Sequence, residues 1–371
     1  MYSALGIINS TGRHIHVEGL ENYRPIGAFS FMGRYRVIDF PISNMSNSDI
    51  DRIQVFSGRN PRSLTDHLGT GRHYNINSKR GRLQVFFSEN AAAHEIYNTD
   101  ITAFMENMEY IERMPQEYVV IAPSHMIYTM DYDELIRIHA ESGAEVTALY
   151  HTVDNAKDSF LGCHILNLNK QKGVLSLEPN NGAAKNRNIS MDTYVMKREL
   201  FTYLVVKAKN ISSMYTLADI INEQCNTLDI RGVAHRGYFA AITDFQSYYE
   251  ANMSLIDFKI AQDLFHEEWP IYTKTNDSCP TQYFDSAHVK NSIISNGCHI
   301  EGTVENSIIG RGCSIAPGAV IKNCVILADV VVGSDVHVEN QVVDKRAKLD
   351  KVKEIVASPE KPGYVKKDDI I

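Results

Sequence analysis

Apolar and polar positions along this chain fall into two regimes. Up to about residue 260, short apolar runs alternate with stretches of helical spacing. The segments "SALGII" (3–8), "RIQVFS" (52–57), "EYVVIA" (117–122) and "EVTALYH" (145–151) predict buried strands. Between them, Ile101, Phe104, Met108, Ile111 and Met114 recur at intervals of three and four, which places one apolar stripe on a helix face. In the next helical stretch Leu135, Ile136 and Ile138 fall largely inward, while Glu134, Arg137 and Glu141 take the polar side. Strands alternating with helices predict a mostly parallel sheet covered on both faces, and the methionines of the stripe read as core packing.

From Val289 the period changes. Ile294 and Ile300 are six apart, as are Ile309, Ile315 and Ile321, then Ile326, Val332 and Val338, then Val343 and Leu349. Each series restarts after roughly 15 to 17 residues, with Gly, Asn and Asp at the turns. One aliphatic residue at every sixth place predicts a parallel β-helix of three to four coils, each side of a triangular coil supplying one interior residue. Cys298, Cys313 and Cys324 sit beside these positions as small packing residues, and His299 and His337 read as turn or surface residues. The segment 261–288 follows neither period and carries Pro270 and Pro280, but Trp269, Tyr272, Tyr283 and Phe284 give it material to pack down. The expected division is therefore an α/β domain over 1–260, an ordered connector over 261–288, and a β-helix with its tail over 289–371. The α/β part is expected to stay folded when the chain is cut after about Ser286.

Composition narrows the function classes. The chain has 371 residues, 44% hydrophobic and 22% charged, with a formal net charge of −8. Nucleic-acid affinity comes from excess Lys and Arg, so a general nucleic-acid binder is not expected. No apolar run approaches the roughly 18 residues of a membrane span, and the N-terminus has nothing basic ahead of its short apolar run. Six scattered cysteines without a C-x-x-C pair suit a reduced, cytoplasmic protein.

Four blocks carry a family resemblance: "GRYRVIDFPISNMSNSDIDRIQVF" (33–56), "YYEANMSLI" (248–256), "WPIYTKTNDSCPTQYF" (269–284) and the hexapeptide repeats. In this order they resemble the bacterial glucose-1-phosphate adenylyltransferase (ADP-glucose pyrophosphorylase) family over nearly the whole chain. The resemblance implies a Rossmann-like nucleotidyltransferase domain of the glycosyltransferase-A-like kind, followed by a left-handed parallel β-helix. It also implies the family's reaction, in which ATP and glucose 1-phosphate give ADP-glucose and pyrophosphate. That chemistry is mostly positioning and charge neutralisation, with Mg²⁺ held by carboxylates and the phosphates held by backbone N–H groups, Lys and Arg.

Set against the family's motifs, the chemistry-bearing positions are altered. Only Gly12 and Arg13 resemble the glycine-rich phosphate loop, where Ser10, Thr11 and His14 crowd the backbone. The lysine that follows the loop corresponds to Ile26. The G-D-H acid is replaced by Pro123-Ser124, with His125 kept and Met126 inserted. In "SLEPNN" Glu178 and Pro179 remain without the lysine between them, and Ala241 stands where the second metal-binding Asp belongs. A hydroxyl is a poor ligand for hard Mg²⁺ and a methyl is none.

The pattern resembles the non-catalytic, regulatory GlgD-type subunits of the family. This implies a chain that binds no metal or cofactor itself and joins a catalytic subunit, which holds the Mg²⁺, in a heterotetramer; a homo-oligomer is open to the chain alone. Residual sugar-phosphate positions are Gly162, Glu178 and Ser190, the last in "ISMDTYVM", where Asp192 replaces the glycine of an S-M-G segment. Arg72, Arg80 and Arg82, with His73 and Lys79, form a basic loop suited to a phosphorylated effector. Two alternatives remain: an active nucleotidyltransferase using Asp131 or Asp244 as a metal ligand, and a hexapeptide-repeat acyltransferase.

Overall fold

A computed structural model describes residues 2–10, 15, 17–58, 60–76, 79, 81–87 and 99–371. In the α/β part the strands are β1 (Ala4–Ser10), β2 (Ser30–Phe31), β3 (Tyr35–Arg36), β4 (Arg52–Ser57), β5 (Arg82–Phe87), β6 (Tyr118–Pro123), β7 (Met126–Tyr128), β8 (Val146–Val153), β9 (His164–Leu168), β10 (Val174–Pro179), β11 (Arg187–Lys197), β12 (Ile230–Ala234) and β13 (Phe239–Ala241). The helices are α1 (Asp39–Asn47), α2 (Arg62–Leu68), α3 (Asp100–Glu106), α4 (Met108–Glu112), α5 (Tyr132–Ser142), α6 (Arg198–Ile211), α7 (Leu217–Gln224), α8 (Phe245–Ser254) and α9 (Phe258–Gln262).

The sheet follows from its central strands. β1 and β6 are aliphatic on both sides and buried almost throughout, which suits strands covered on two faces. β5, β4, β1 and β6 pair in parallel in that order. β11 then pairs antiparallel with β6 and β8, and beyond it lie the β9–β10 hairpin and β12. The predicted strands are present at their predicted places. The methionine stripe splits into α3 and α4, with Ile101, Phe104, Met108 and Ile111 buried against Phe201 and Leu204 of α6. Polar residues stop and start the helices: Asp131 caps α5, and Thr216 and Asp244 each form a capping box at α7 and α8.

Fifteen further short strands, β14 to β28, run from Gln282–Tyr283 to Gly363–Val365 and stack into three parallel sheets of five. This is a left-handed parallel β-helix. All ten aliphatic residues of the six-residue series point into one interior cluster, together with Cys298, Cys313 and Cys324. The stack holds five strands per side, more than the repeat predicted. Its end coils carry Tyr283 at one end and Glu354 and Gly363 at the other, so they lack the strict aliphatic period; end repeats face solvent and need less apolar filling. The first strand, Gln282–Tyr283, lies inside the segment read as connector. Upstream of it the connector is strapped to α1: Trp269 Nε1 donates to Asn44 Oδ1 at 3.0 Å, and the Tyr272 N–H donates to Ser43 Oγ at 2.9 Å.

The third sheet of the coil is apolar on both faces. Its inward residues fill the coil, while Ile308, Val325 and Val342 point outward into a cluster with Phe29, Phe31, Phe40 and Tyr248 of the α/β part and Leu264 of the connector. The two parts therefore share a core. This sets aside the expectation that the α/β part stays folded when cut after Ser286, because the cut would bare that aromatic cluster. A buried ion pair sits on the same seam: Arg24 Nη2 donates to both carboxylate oxygens of Asp344 at 2.7 Å, with the two side chains 3% and 0% exposed. The Tyr364 hydroxyl adds a third bond to Asp344 at 2.9 Å.

Removing one partner of such a pair strands a buried charge. Arg24→Ala or Asp344→Ala alone is expected to cost about 3–5 kcal/mol in urea unfolding, and the double variant Arg24→Met/Asp344→Leu to recover most of it. Equal losses in the single and double variants would show that the pair's charges are not what matters.

Candidate functional site

The parallel strands β1, β4 and β6 end together at Ser10, Ser57 and Pro123. A crevice of about 1000 Å³ opens there, at the carboxyl edge of the sheet where ligands of open α/β folds bind. Its floor includes Asn9, Ser10, Pro123, Ser124 and His125, and its walls include Ile26, Leu161, Gly162 and Thr243.

Ser124 lies where the sequence placed it, buried at the end of β6, its N–H donating to Asn9 O at 2.9 Å. Ala241 ends β13 opposite Met126, and the N–H of Ile242 donates to His125 O at 2.8 Å. The short β7–β13 ribbon therefore places Ala241 near Ser124, although Ser124 lines the crevice and Ala241 is buried outside its lining. Ile26 lines the crevice as an apolar side chain in place of the implied lysine. The two acids offered as replacement ligands serve as helix caps instead. Asp131 accepts the N–H groups of Asp133 and Glu134 at 2.9 and 3.2 Å, and Asp244 accepts that of Ser247 at 2.7 Å.

The residual sugar-phosphate positions separate. Gly162 lines the crevice with φ +78, and a Cβ there would meet nothing within 4 Å. Ser190 is buried behind it; its Oγ accepts the Asp192 N–H at 3.3 Å. A register shift in the β11–β8 pairing and a left-handed Asp192 (φ +46) turn the Asp192 side chain into the crevice, where Oδ1 lies 3.4 Å from His164 Nδ1. Glu178 is exposed on β10, accepting from Ser176 Oγ at 2.9 Å, and does not line the crevice. The residue in that segment that acts on the site is Asn180. Its Nδ2 donates to Ala156, Ser159 and Phe160 carbonyls, clamping the loop that carries Gly162.

Asp100 was not singled out from sequence, where it reads as an ordinary acid in the first turn of a helix. In the fold it is 5% exposed and joins three element ends: Asn9 Nδ2 donates to it at 3.1 Å, Ile101 N at 2.8 Å and Leu217 N at 3.1 Å. Burial pushes its carboxyl up to about 7 against the pull of those N–H donors. Glu21, Asp192 and Asp219 also line the crevice, and among the described lining residues Arg24 is the one Lys or Arg, already paired to Asp344.

Mg²⁺ does not fit the family's position here, where a hydroxyl and a methyl replace the two acids. Among the described residues no group of three or more His, Cys, Asp or Glu is arranged to hold a metal ion.

The basic loop stands apart from the crevice. Arg72 and Arg82 are exposed on its two limbs, and Arg80 lies outside the described residues. The loop is anchored from beneath by buried Asp39, which receives the Tyr74 hydroxyl at 2.6 Å and lies 2.6 Å from His67 Nε2. Burial raises the Asp39 carboxyl, but His67, Tyr74 and the Arg36 N–H outweigh it and hold it below its usual range.

The nucleotidyl transferase family matches residues 12–257, and a GlmU-like C-terminal hexapeptide family matches residues 280–362. The glycogen biosynthesis protein GlgD of Bacillus subtilis (strain 168) is 30% identical over 98% of this chain and 95% of its own length. GlgD of Geobacillus stearothermophilus is 32% identical over 85% and 82%. The glucose-1-phosphate adenylyltransferase of Fervidobacterium nodosum is 30% identical over 92% and 83%. This chain belongs to the nucleotidyl transferase family, in the group formed by GlgD and the glucose-1-phosphate adenylyltransferases. Among its described residues no helix is long and apolar enough to cross a membrane.

Asp100 makes stability depend on pH. Its folded value of about 7 lies above its ordinary value of 3.8, so its contribution is full below about pH 4 and is lost as pH rises through about 7. Urea midpoints are expected to fall between pH 5 and pH 8, and Asp100→Asn to flatten that slope. An unchanged slope in the variant would assign the pH dependence to other groups.

Proposed function

We propose that this chain is the regulatory, catalytically inactive subunit of a glucose-1-phosphate adenylyltransferase, serving glycogen biosynthesis. It binds no Mg²⁺ and joins a catalytic homologue, which holds the metal, in a heterotetramer. The observation that carries this reading is the nearness of Ser124 and Ala241 across the strand ends that the Ile242 to His125 hydrogen bond joins. Both metal-binding acids are replaced at adjacent places, and the nearby Asp131 and Asp244 are engaged as caps. Among the described lining residues, an apolar Ile26 and four acids stand where phosphoryl transfer calls for positive charge. Losing a pre-placed charge of this kind costs several kcal/mol of transition-state stabilisation, and each 1.4 kcal/mol is tenfold in rate. The basic loop at Arg72 and Arg82 is the proposed contact for a phosphorylated effector, because paired guanidinium groups suit bidentate phosphate binding.

A second reading has one observation behind it. Asp192 and Asp219 line the same crevice and supply carboxylates to an active enzyme with a different metal geometry. A steady-state assay with ATP, glucose 1-phosphate and Mg²⁺ separates the two. The isolated chain is expected to turn over far below the usual range of roughly 1–10³ s⁻¹. Ser124→Asp/Ala241→Asp is expected to stay inactive, since Ile26 and the acidic lining are unchanged. A rate within the usual range for the unmodified chain would establish the second reading instead.

The effector contact has its own check. Replacing Arg72 and Arg82 with Ala is expected to leave unfolding unchanged, because both are exposed, and to weaken the effector response of the mixed complex about tenfold or more. A normal response would reduce the loop to a solvated turn.

A further inference from the structure

Of the β-helix's three outer faces, one is buried against the α/β part. A second carries charge in a strict order. Its strands are His288–Lys290, Thr303–Glu305, Val320–Lys322, His337–Glu339 and Glu354–Val356, paired in parallel and in register. The middle residues Val304, Ile321, Val338 and Ile355 pack into the coil interior, so the last residues form an outer row: Lys290, Glu305, Lys322, Glu339, then Val356. The row alternates positive and negative over four coils. Within the row Lys322 Nζ lies 3.6 Å from Glu305, and His337 in the row of first residues lies 3.4 and 3.6 Å from Glu339 and Glu354. All of these side chains remain partly exposed.

Lateral pairing leaves the order's symmetry unused. A two-fold axis parallel to the strands, between the coils of Glu305 and Lys322, turns the face onto itself with the coil order inverted. Lys290 then meets Glu339 of a second copy, and Glu305 meets its Lys322. Four opposite-charge pairs form at once. A two-fold axis along the coil and through this row, coil against equal coil, sets each charge against its like. Row by row, the same axis places His288 over His337 and Thr303 over Val320, with no like-charged carboxylates or ammonium groups opposed.

We propose that this face is a self-complementary contact that mates two copies of this chain with their β-helices antiparallel, the charge ladder fixing the register. Charge complementarity specifies the partner, because the pattern fits its own inverse, and isologous contacts of this kind are the commonest in homo-oligomers. The proposal does not rest on the loss of catalysis.

Lys290 and Glu339 are three coils apart, about 14 Å at ordinary strand spacing and beyond a Debye length at 0.1 M salt. Within one chain they are too distant to pair, and this makes them the diagnostic positions. Sedimentation equilibrium of the full chain at low salt is expected to show dimers that weaken as salt is added. Lys290→Glu and Glu339→Lys are each expected to weaken dimerisation about tenfold, and the double reversal to restore it to within about threefold. Lateral pairing alone predicts no such rescue. The proposal is overturned by an unmodified chain that stays monomeric at about 100 μM, which places any self-affinity weaker than that. Dimers indifferent to the single reversals overturn it equally, as does a double variant whose losses simply add.

Discussion

The seam between the α/β part and the β-helix governs the rest of the molecule. Each coil must turn three sides toward something, and a row of outward aliphatic residues is costly to leave in water. Ile308, Val325 and Val342 form such a row, and Phe29, Phe31, Phe40 and Tyr248 complete it from the other part. Burying this row fixes which side of the coil docks, and thereby which sides stay free. The ion pair of Arg24 with Asp344 then fixes the docking height, since a dry charge tolerates little displacement from its partner.

The crevice inherits its shape from that arrangement. Arg24 belongs both to the seam and to the crevice wall, so a side chain that otherwise offers positive charge to a ligand is committed to the chain's own carboxylate. On the opposite wall the bulge at Ser190–Tyr194 turns Asp192 inward. The scaffold of a nucleotidyl transferase is thus present, with strand ends, ribbon and clamp loop in place, and Glu21, Asp100, Asp192 and Asp219 stand among its described lining residues. The three outer faces of the coil differ: one is aliphatic and buried, one is charged in alternating order, and one is mixed and polar.

Some elements were legible because the pattern that encodes them is local. The six-residue aliphatic period needs no knowledge of the rest of the chain, and it identified ten residues of the coil's interior cluster, though not Val304, Val330 or Val336, which lie in it as well. The strands at 52–57 and 117–122 and the stripe from Ile101 to Ile111 were legible for the same reason. Ser124 and Ala241 were legible by position, since the strands flanking them hold the register. Asp100, Asn180 and the inward Asp192 were not. Asp100 reads as a helix-start acid, Asn180 as a turn residue and Asp192 as a substituted glycine, and nothing nearby in sequence distinguishes them from those ordinary roles. Glu178, retained in its motif, points away from the crevice because β10 lies at the sheet's edge and presents it to solvent.

By itself the sequence determined the order of secondary elements and most of the interior of the coil, because each depends on residue type and spacing along the chain. Tertiary structure alone decided that the two parts share a core and that Asp131 and Asp244 serve as caps. It also decided that Asp100 gathers Asn9 and Leu217 from elements far apart in sequence. These depend on which faces meet, and a face acquires a neighbour only when the whole chain has packed to remove its apolar surface from water.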